Sequence, residues 1–201
     1  MSKTGIMGGT FDPIHIGHIR LAEQAMAECK LDSVLFVPNH TPWMKHDRAV
    51  TKAEQRAAMT ELAIEGHPGF RLSTVEIDAG GDSYTWQTLE TLKEQYPDEE
   101  FFFILGADSL LSIEKWAHPE KIFENAVILA AVRDDCDKTK LEEQKELLAS
   151  KYNARIRLLS MPFVDVSSTK IRQEFYSDPE IQKLVPPKTA AYILQNHLYS
   201  V

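Results

Sequence analysis

The chain has few cysteines, no excess of positive charge and no long apolar run. Its 201 residues include two cysteines, Cys29 and Cys136, whose positions form neither a disulfide nor a metal-binding pattern, so a reducing compartment is expected. Acidic residues outnumber basic residues by 30 to 22, and the net charge of -8 argues against nonspecific binding to nucleic acid or to an anionic membrane surface. No apolar segment approaches the roughly 20 residues that span a bilayer, and no signal peptide is visible. The cytoplasm is therefore the expected location.

The order of elements predicts an α/β protein. There is no internal repeat or low-complexity linker, and the length suits a single domain over 1–201 whose part from 160 to 201 is mostly helical. Alternating strands and helices predict a Rossmann-like, doubly wound parallel sheet with a small helical C-terminal segment. Strands are predicted at 5–7, 33–37, 70–77, 101–105, 126–132 and 155–159. Helices are predicted at 17–28, 51–65 and 139–152, after a Ser83 cap, near Ser168 and after Pro187, and 39–51 is predicted to be a loop.

Several polar segments directly follow the predicted strands. Ligands of such folds bind at the carboxyl ends of the strands. The segments beginning at Gly8, Pro38, Gly106 and Arg133 should therefore crowd one edge of the sheet.

The segment from Gly8 to His18 is the most informative part of the chain, and it reads Gly-Gly-Thr-Phe-Asp-Pro-Ile-His-Ile-Gly-His. Glycines that follow a strand can adopt a positive φ and let backbone N–H groups approach a phosphate closely. His15 and His18 are three residues apart, so at a helix start they share a face, and Gly17 leaves room for a base or ribose. A tight turn with two capping or core histidines is the alternative for a shorter match. Agreement over ten positions favours a phosphate site.

A second candidate phosphate motif runs from Val166 to Arg172 and reads Val-Ser-Ser-Thr-Lys-Ile-Arg. Hydroxyls and N–H groups at a helix start attract an anion, and Lys170 and Arg172 add formal charge. Taken alone, the segment fits an N-cap with two solvated bases equally well.

Together the two motifs resemble those of the nucleotidyltransferase superfamily whose hallmark is His-x-Gly-His, here His15 to His18. Within it the chain is similar over its whole length to the bacterial nicotinate-nucleotide adenylyltransferases. Class I aminoacyl-tRNA synthetases share the hallmark but are far larger, and phosphopantetheine relatives usually end the second motif in lysine. The further matches are Ser83-Tyr84-Thr85, the segment 106–110, Trp116, and Pro186, Tyr192, Ile193, Leu198 and Tyr199.

One loop departs from the family pattern. The family commonly has Pro-His-Lys after the second strand, whereas this chain reads Pro42-Trp43-Met44-Lys45-His46. Lys45 can be aligned with the family lysine. Whether His46 replaces the missing histidine stays open.

The resemblance implies adenylyl transfer from ATP to nicotinate mononucleotide. His15 and His18 would act on the α-phosphate and its bridging oxygen, and Arg172 would hold the β- and γ-phosphates. Mg²⁺ is expected to come with ATP rather than to occupy a metal site of the protein. The ATP-binding residues would be Gly8, Gly9, Thr10, Phe11, Gly17, Gly106, Asp108, Ser168, Thr169 and Ile171. The acceptor-binding residues would be Asn39, Lys45, Tyr84, Thr85, Trp116 and Arg133.

The acceptor is expected to be the acid rather than the amide mononucleotide. N–H groups at the helix start near Tyr84 and Thr85 would accept a carboxylate, and a carboxamide would leave them unpaired. Trp116 would stack on the pyridine ring or, alternatively, cover the core. The other functions considered are a related adenylyl- or cytidylyltransferase acting on another phosphate monoester such as phosphopantetheine, and a non-catalytic nucleotide sensor. ATP and the mononucleotide are the expected partners, with no nucleic acid and no membrane, and a homo-oligomer stays open.

Overall fold

Strands and helices alternate along the chain. The computed structural model describes residues 1–42, 50–133, 137–161 and 165–200. The strands are β1 Ser2–Gly9, β2 Ser33–Pro38, β3 Thr41–Pro42, β4 Phe70–Leu72, β5 Asp82–Ser83, β6 Glu99–Gly106, β7 Ala126–Arg133 and β8 Ile156–Met161. The helices are α1 Ile16–Cys29, α2 Ala53–Ile64, α3 Val75–Ala79, α4 Thr85–Gln95, α5 Ala107–Ser112, α6 Pro119–Asn125, α7 Lys138–Tyr152, α8 Ser168–Glu174, α9 Pro179–Gln182 and α10 Pro187–Gln195, with a 3-10 turn at Ile113–Lys115.

The main sheet has six strands in the order β4-β2-β1-β6-β7-β8. The pairs β1–β6, β6–β7 and β7–β8 are parallel, and their register places Ile6, Phe103, Ile128 and Ile156 in one row across four strands. Numbered by the six strands alone, this order is 3-2-1-4-5-6, which defines a doubly wound Rossmann-like sheet. The predicted fold class is confirmed.

The central strands contain continuous apolar runs. All six residues of β2 are buried, and so are residues 101–105 of β6. Strands of a parallel sheet are covered on both faces, so nearly every side chain enters the core and continuous apolar runs replace alternation. None of the helices in the described part of the chain has the length and apolar character needed to span a bilayer.

The chain divides into two compact units, each built from three segments. The first unit comprises Met1–Gly8, Leu21–Leu35 and Tyr84–Phe163, and the second comprises Gly9–Arg20, Phe36–Ser83 and Val164–Val201. In the first unit, α4 packs on α6 and α5 packs on α7. In the second unit, α2 packs on α10 and on β4.

The predicted strand over 70–77 is wrong beyond Leu72. Residues 75–79 form α3, because Asp78 N–H donates to the Thr74 carbonyl at 2.8 Å and Thr74 Oγ1 donates to Asp78 Oδ2 at 2.8 Å. Gly80 follows with a φ of 67° and ends the turn. A local side-chain hydrogen bond therefore overrides the β propensity of Val75 and Ile77.

Ser83 does not cap the helix that follows it. The N-cap of α4 is Tyr84, without a side-chain capping bond. Ser83 instead belongs to β5, which pairs with β3, and β3 lies inside the segment 39–51 that is predicted to be a loop. The Oγ of Ser83 accepts the His40 N–H at 3.0 Å. The hydroxyl is engaged by the strand pair rather than by the helix.

Candidate active site

The turn after β1 does not use positive φ at its glycines. Gly8 and Gly9 end the strand, and the left-handed residue is Phe11, with a φ of 48°. A Cβ on Gly9 would lie 2.9 Å from Cε1 of Phe11, closer than side chains tolerate, whereas a Cβ on Gly8 would have ordinary contacts. Gly9 is therefore required because the phenyl ring folds back over the strand end. Its carbonyl accepts the Asn39 N–H at 3.0 Å.

His15 and His18 stack on each other at the start of α1. Their ring centroids are 3.7 Å apart and their planes differ by 26°. The edge of the Phe11 ring meets His18 with 5.1 Å between centroids. The backbone N–H of His15 donates to Nδ1 of His18 at 3.2 Å. Because Nδ1 accepts, the proton of a neutral His18 is on Nε2.

His15 is the more buried of the two histidines. Its relative exposure is 8%. Burial lowers the pKa of His15 to about 4, so this imidazole is neutral at pH 7. Its Nδ1 is buried and has no hydrogen-bond partner among the described residues. A Cβ on Gly17 would lie 3.1 Å from this nitrogen and 2.9 Å from Cγ1 of Val166, so Gly17 makes room for the His15 ring.

Arg172 is held against the Gly8 to His18 motif by a hydrogen bond to a main-chain carbonyl. Its Nη1 donates to the Asp12 carbonyl at 2.7 Å and its Nη2 donates to Thr169 Oγ1 at 3.3 Å. Ser168 Oγ donates to the Pro13 carbonyl at 2.9 Å. The two sequence motifs, about 150 residues apart, are thus joined directly within the second unit.

The hydroxyls of the second motif are partly occupied by protein groups. Ser167, not Ser168, caps α8, because its Oγ accepts the Lys170 N–H at 3.2 Å. Ile171 is fully buried, and its backbone N–H donates to the Ser167 carbonyl at 3.1 Å while its carbonyl accepts the Phe175 N–H at 2.9 Å, so this residue anchors the helix. Arg172 is half-buried. The segment therefore offers one well-oriented permanent cation.

Two buried polar side chains of the second unit are absent from the sequence-based site. Asp12 is 3% exposed, and its Oδ1 accepts the Tyr199 hydroxyl at 2.8 Å. Arg56 is 1% exposed and donates to four acceptors, which are the Thr10, His40 and Thr51 carbonyls and Asn39 Oδ1. Burial lowers the pKa of Arg56, and the nearby Asp12 carboxylate opposes that shift. One signal in the sequence indicates Arg56, because it shares a helix face with Met59 and Ala63.

The first unit holds the residues expected to face the acceptor and the adenosine. Gly106 ends β6 and is exposed, and a Cβ built on it would have no atom within 4 Å. Asp108 is exposed in the first turn of α5. Gly106 pairs with Ala131 in a parallel register, so the carboxyl ends of β6 and β7, where Gly106 and Arg133 lie, share one edge of the sheet.

Two further elements of the first unit carry predicted acceptor residues. Helix α4 begins at Thr85 after its N-cap residue Tyr84, whose side chain makes no capping hydrogen bond. Trp116 is half-buried, with its ring edge-on to Phe103 at 6.3 Å between centroids.

The predicted site residues thus fall into two groups. The second unit brings together Gly9, Thr10, Phe11, His15, Gly17, His18, Asn39, Ser168, Thr169, Ile171 and Arg172. The first unit contains Gly8, Tyr84, Thr85, Gly106, Asp108, Trp116 and Arg133. Lys45 and the loop residues around it lie outside the described residues, and the meeting of all these residues at one edge stays a prediction. Across the described ranges, no group of three or more His, Cys, Asp or Glu side chains is arranged to hold a metal ion.

The class of protein follows from this site and its sequence. Residues 6–174 match the cytidylyltransferase-like family, and the chain belongs to that family. The predicted relationship to the His-x-Gly-His nucleotidyltransferases is confirmed.

Particular relatives resemble the chain from end to end. A protein of Lachnoclostridium phytofermentans named as a probable nicotinate-nucleotide adenylyltransferase is 40% identical over 199 residues, which cover 99% of this chain and 100% of the relative. One with the same name from Corynebacterium glutamicum is 38% identical over 98% of this chain and 88% of its own length.

A solved structure shares the fold. The nicotinic acid mononucleotide adenylyltransferase of Plasmodium falciparum in complex with APC aligns with a TM-score of 0.78 and 22% identity, over 99% of this chain and 98% of the other. The same enzyme in complex with NaAD aligns equally well.

Proposed function

We propose that the chain transfers the adenylyl group of ATP to nicotinate mononucleotide, giving nicotinate adenine dinucleotide and pyrophosphate. The carrying observation is that Arg172 and Ser168 are hydrogen-bonded to the histidine-bearing turn, at the Asp12 and Pro13 carbonyls. A permanent cation and two imidazoles in one compact unit suit a triphosphate. The names of relatives at 38–40% identity support the choice of acceptor.

The reaction needs positioning more than it needs a base. An oxygen of the mononucleotide phosphate forms a bond to the α-phosphorus of ATP, and the bond from that phosphorus to the oxygen bridging to the β-phosphate breaks. The leaving pyrophosphate carries away the electron pair. A phosphate monoester has its second pKa near 6 and is already anionic at pH 7. Alignment of the two ligands and stabilisation of the transferring group are therefore the main tasks.

The two histidines act as hydrogen-bond donors to the α-phosphate. His15 is neutral at pH 7, since burial lowers its pKa to about 4, so it contributes a polarised N–H rather than a full charge. His18 uses Nε2–H, because its Nδ1 accepts from the His15 backbone. A donor fixed in this way needs no reorganisation when charge develops on the α-phosphate oxygens.

Arg172 supplies the permanent charge for the β- and γ-phosphates. The Asp12 carbonyl and Thr169 hold two of its nitrogens, which orients the guanidinium without neutralising it. Ser168 and Thr169 would complete this side, and the buried Ile171 would anchor their helix. Mg²⁺ would arrive as part of the nucleotide substrate and would offset part of the charge of the triphosphate.

The residues of the turn and of the loop after β2 would line the nucleotide. Gly8, Gly9, Thr10 and Phe11 would bring backbone against the phosphates, and Gly17 would let α1 approach them. Arg56 fixes the amide oxygen of Asn39, so the amide nitrogen is the group that Asn39 can offer a substrate. Lys45 would add a second cation from its loop.

The first unit would select the acceptor and hold the adenosine ribose. The start of α4 has no side-chain cap after Tyr84, so the N–H groups of its first turn suit the carboxylate of the acid mononucleotide. Trp116 would stack on the pyridine ring, and Asp108 and Gly106 would receive the ribose. Arg133, the last residue of β7, would lie at the same edge.

We further propose that residues 1–201 act as one nucleotidyltransferase domain. The family match over 6–174 runs through segments of both units, which supports this organisation. The cytoplasm is the proposed location, because the positions of the two cysteines form no disulfide or metal-binding pattern and a net charge of -8 suits a protein without nucleic acid or membrane partners.

The test is pyrophosphate release by the purified protein with ATP, Mg²⁺ and a panel of phosphate monoesters. The panel holds nicotinate mononucleotide, the amide mononucleotide and phosphopantetheine. We expect kcat/KM for the acid to exceed that for the amide by at least about 100-fold, because the amide leaves buried donors unpaired.

Each other result has a definite meaning. Equal or better use of the amide contradicts the assigned acceptor. Preference for phosphopantetheine favours the related transferase, and no release with any acceptor favours a nucleotide sensor.

A further inference from the structure

Asp12 occupies a junction that the reaction as described leaves without a role. Its carboxylate is almost fully buried, with Oδ1 bonded to the Tyr199 hydroxyl at 2.8 Å and Oδ2 facing the Thr51 N–H at 3.4 Å. Its main-chain carbonyl accepts from Arg172 at 2.7 Å. The side chain and the main chain of Asp12 thus contact different partners. A hydrogen bond that fixes the carboxylate therefore also orients the carbonyl that accepts from Arg172.

Tyr199 reaches this carboxylate from the C-terminal end of the chain. Its backbone has a φ of 65°, which an aromatic residue rarely adopts. Burial, followed by the nearby Asp12 carboxylate, raises the pKa of the Tyr199 phenol, so it keeps its proton and donates. The contact is therefore a charge-assisted hydrogen bond to a buried carboxylate, and such a bond is stronger than one between exposed groups.

The C-terminal helix is held by other contacts. Thr189 Oγ1 of α10 donates to the Met59 carbonyl of α2 at 3.0 Å, and Thr189 and Ile193 are fully buried. The Leu198 N–H donates to the Ile193 carbonyl at 3.1 Å and closes the helix end. Because these contacts anchor the segment, the Tyr199 hydroxyl is not needed to dock it.

We propose that Tyr199 is a positioning residue for Arg172, acting through Asp12 to aim the guanidinium at the triphosphate of the nucleotide. The inference rests on the proposed function, since it assigns Arg172 to the β- and γ-phosphates. Arg56 also holds this turn through the Thr10 carbonyl, and it donates to the carbonyl of Thr51, whose N–H donates to Asp12 Oδ2.

The test removes one oxygen atom. In Tyr199→Phe the ring still fills its place, but Oδ1 of Asp12 loses its donor, so the Asp12 carbonyl can shift. We expect kcat/KM for ATP to fall by about tenfold while KM for nicotinate mononucleotide stays within twofold. Tyr192→Phe is the matched control: it removes a phenolic oxygen from α10 whose hydroxyl has no hydrogen bond among the described residues, and it should behave as the parent protein.

A double-mutant cycle separates positioning from a structural role. In the Arg172→Ala background, Tyr199→Phe should change kcat/KM for ATP by less than twofold, because the group it positions is gone. A lower melting temperature with unchanged kcat/KM in Tyr199→Phe would overturn the proposal, and so would a full additional tenfold loss in the Arg172→Ala background.

ATP affinity measured by calorimetry keeps this test independent of the proposed reaction. If the parent protein releases no pyrophosphate with any acceptor, the proposed function fails, and the four proteins of the cycle still report on Tyr199. We expect Tyr199→Phe to weaken ATP binding about tenfold when Arg172 is present. Equal ATP affinity of the parent and Tyr199→Phe would reject the positioning role.

Discussion

The residues proposed to bind the phosphates of ATP and those proposed to bind the acceptor and the adenosine ribose are held by the protein in different ways. In the second unit, Arg172 donates to the Asp12 carbonyl, and buried Arg56 donates to four acceptors. In the first unit, Gly106 and Asp108 are exposed, and the start of α4 has no side-chain cap. One group is tied into the protein before any ligand arrives, and the other presents open backbone and exposed side chains.

This difference indicates which groups must be held in position before the ligands bind. Adenylyl transfer develops charge around the α-phosphorus and the leaving pyrophosphate, so donors on that side gain most from being fixed in advance. The acceptor contributes a phosphate that is already charged. Its pyridine ring and carboxylate need recognition, and ordering on binding can supply that.

The largest predicted effect is on the histidine pair. His18→Ala should lower kcat by about a thousandfold, because it removes a donor that Phe11 and the His15 backbone hold in place. Steady-state pyrophosphate release measures this, and a circular-dichroism melt checks that the variant is folded. Asp108→Ala in the first unit should lower kcat/KM by about tenfold. A larger loss of kcat in Asp108→Ala than in His18→Ala would invert the comparison.

The second prediction concerns stability against pH. The pKa of His15 is about 4 in the folded protein and 6.5 in the unfolded chain, so between these values the unfolded state binds more protons. The free energy of unfolding should therefore fall as the pH drops from 6.5 to 4, by on the order of 3 kcal/mol from this residue. In His15→Gln, chemical denaturation at pH 7 and at pH 4 should show a drop smaller by about that amount.

The same comparison has an outcome that would contradict it. An identical drop in His15→Gln and in the parent would mean that the burial of His15 does not control its protonation.

Much of the fold could be predicted because the signals are local. The apolar runs at 33–37, 101–105 and 126–132 are strands, as expected of a sheet covered on both faces. The strand predicted over 70–77 is confirmed for Phe70–Leu72 and wrong beyond it, because Thr74 and Asp78 close a helical turn that β propensity does not predict. The sequence predicts a cap at Ser83, because the residue that bonds its hydroxyl, His40, is distant in sequence and local spacing does not reveal it.

The candidate site divides in the same way. The histidine motif and the Ser167 to Arg172 segment could be predicted from the sequence, because their residues are only a few positions apart. The hydrogen bond between Tyr199 and Asp12 could not be predicted, since 187 residues separate the pair. The neutral state of His15 also depends on burial, which only the fold supplies.

The smallest predicted effect compares two glycines, one from each unit. Gly17→Ala should lower the free energy of unfolding by about 2 kcal/mol, because its Cβ would press on Val166 and on the His15 ring. Gly106→Ala should change it by less than about 0.5 kcal/mol, because its Cβ would meet nothing within 4 Å. Urea denaturation of both variants at pH 7 gives the two values. Equal losses would show that the second unit accommodates a methyl group as easily as the first, and the contrast between tightly packed residues in the second unit and open ones in the first would not hold.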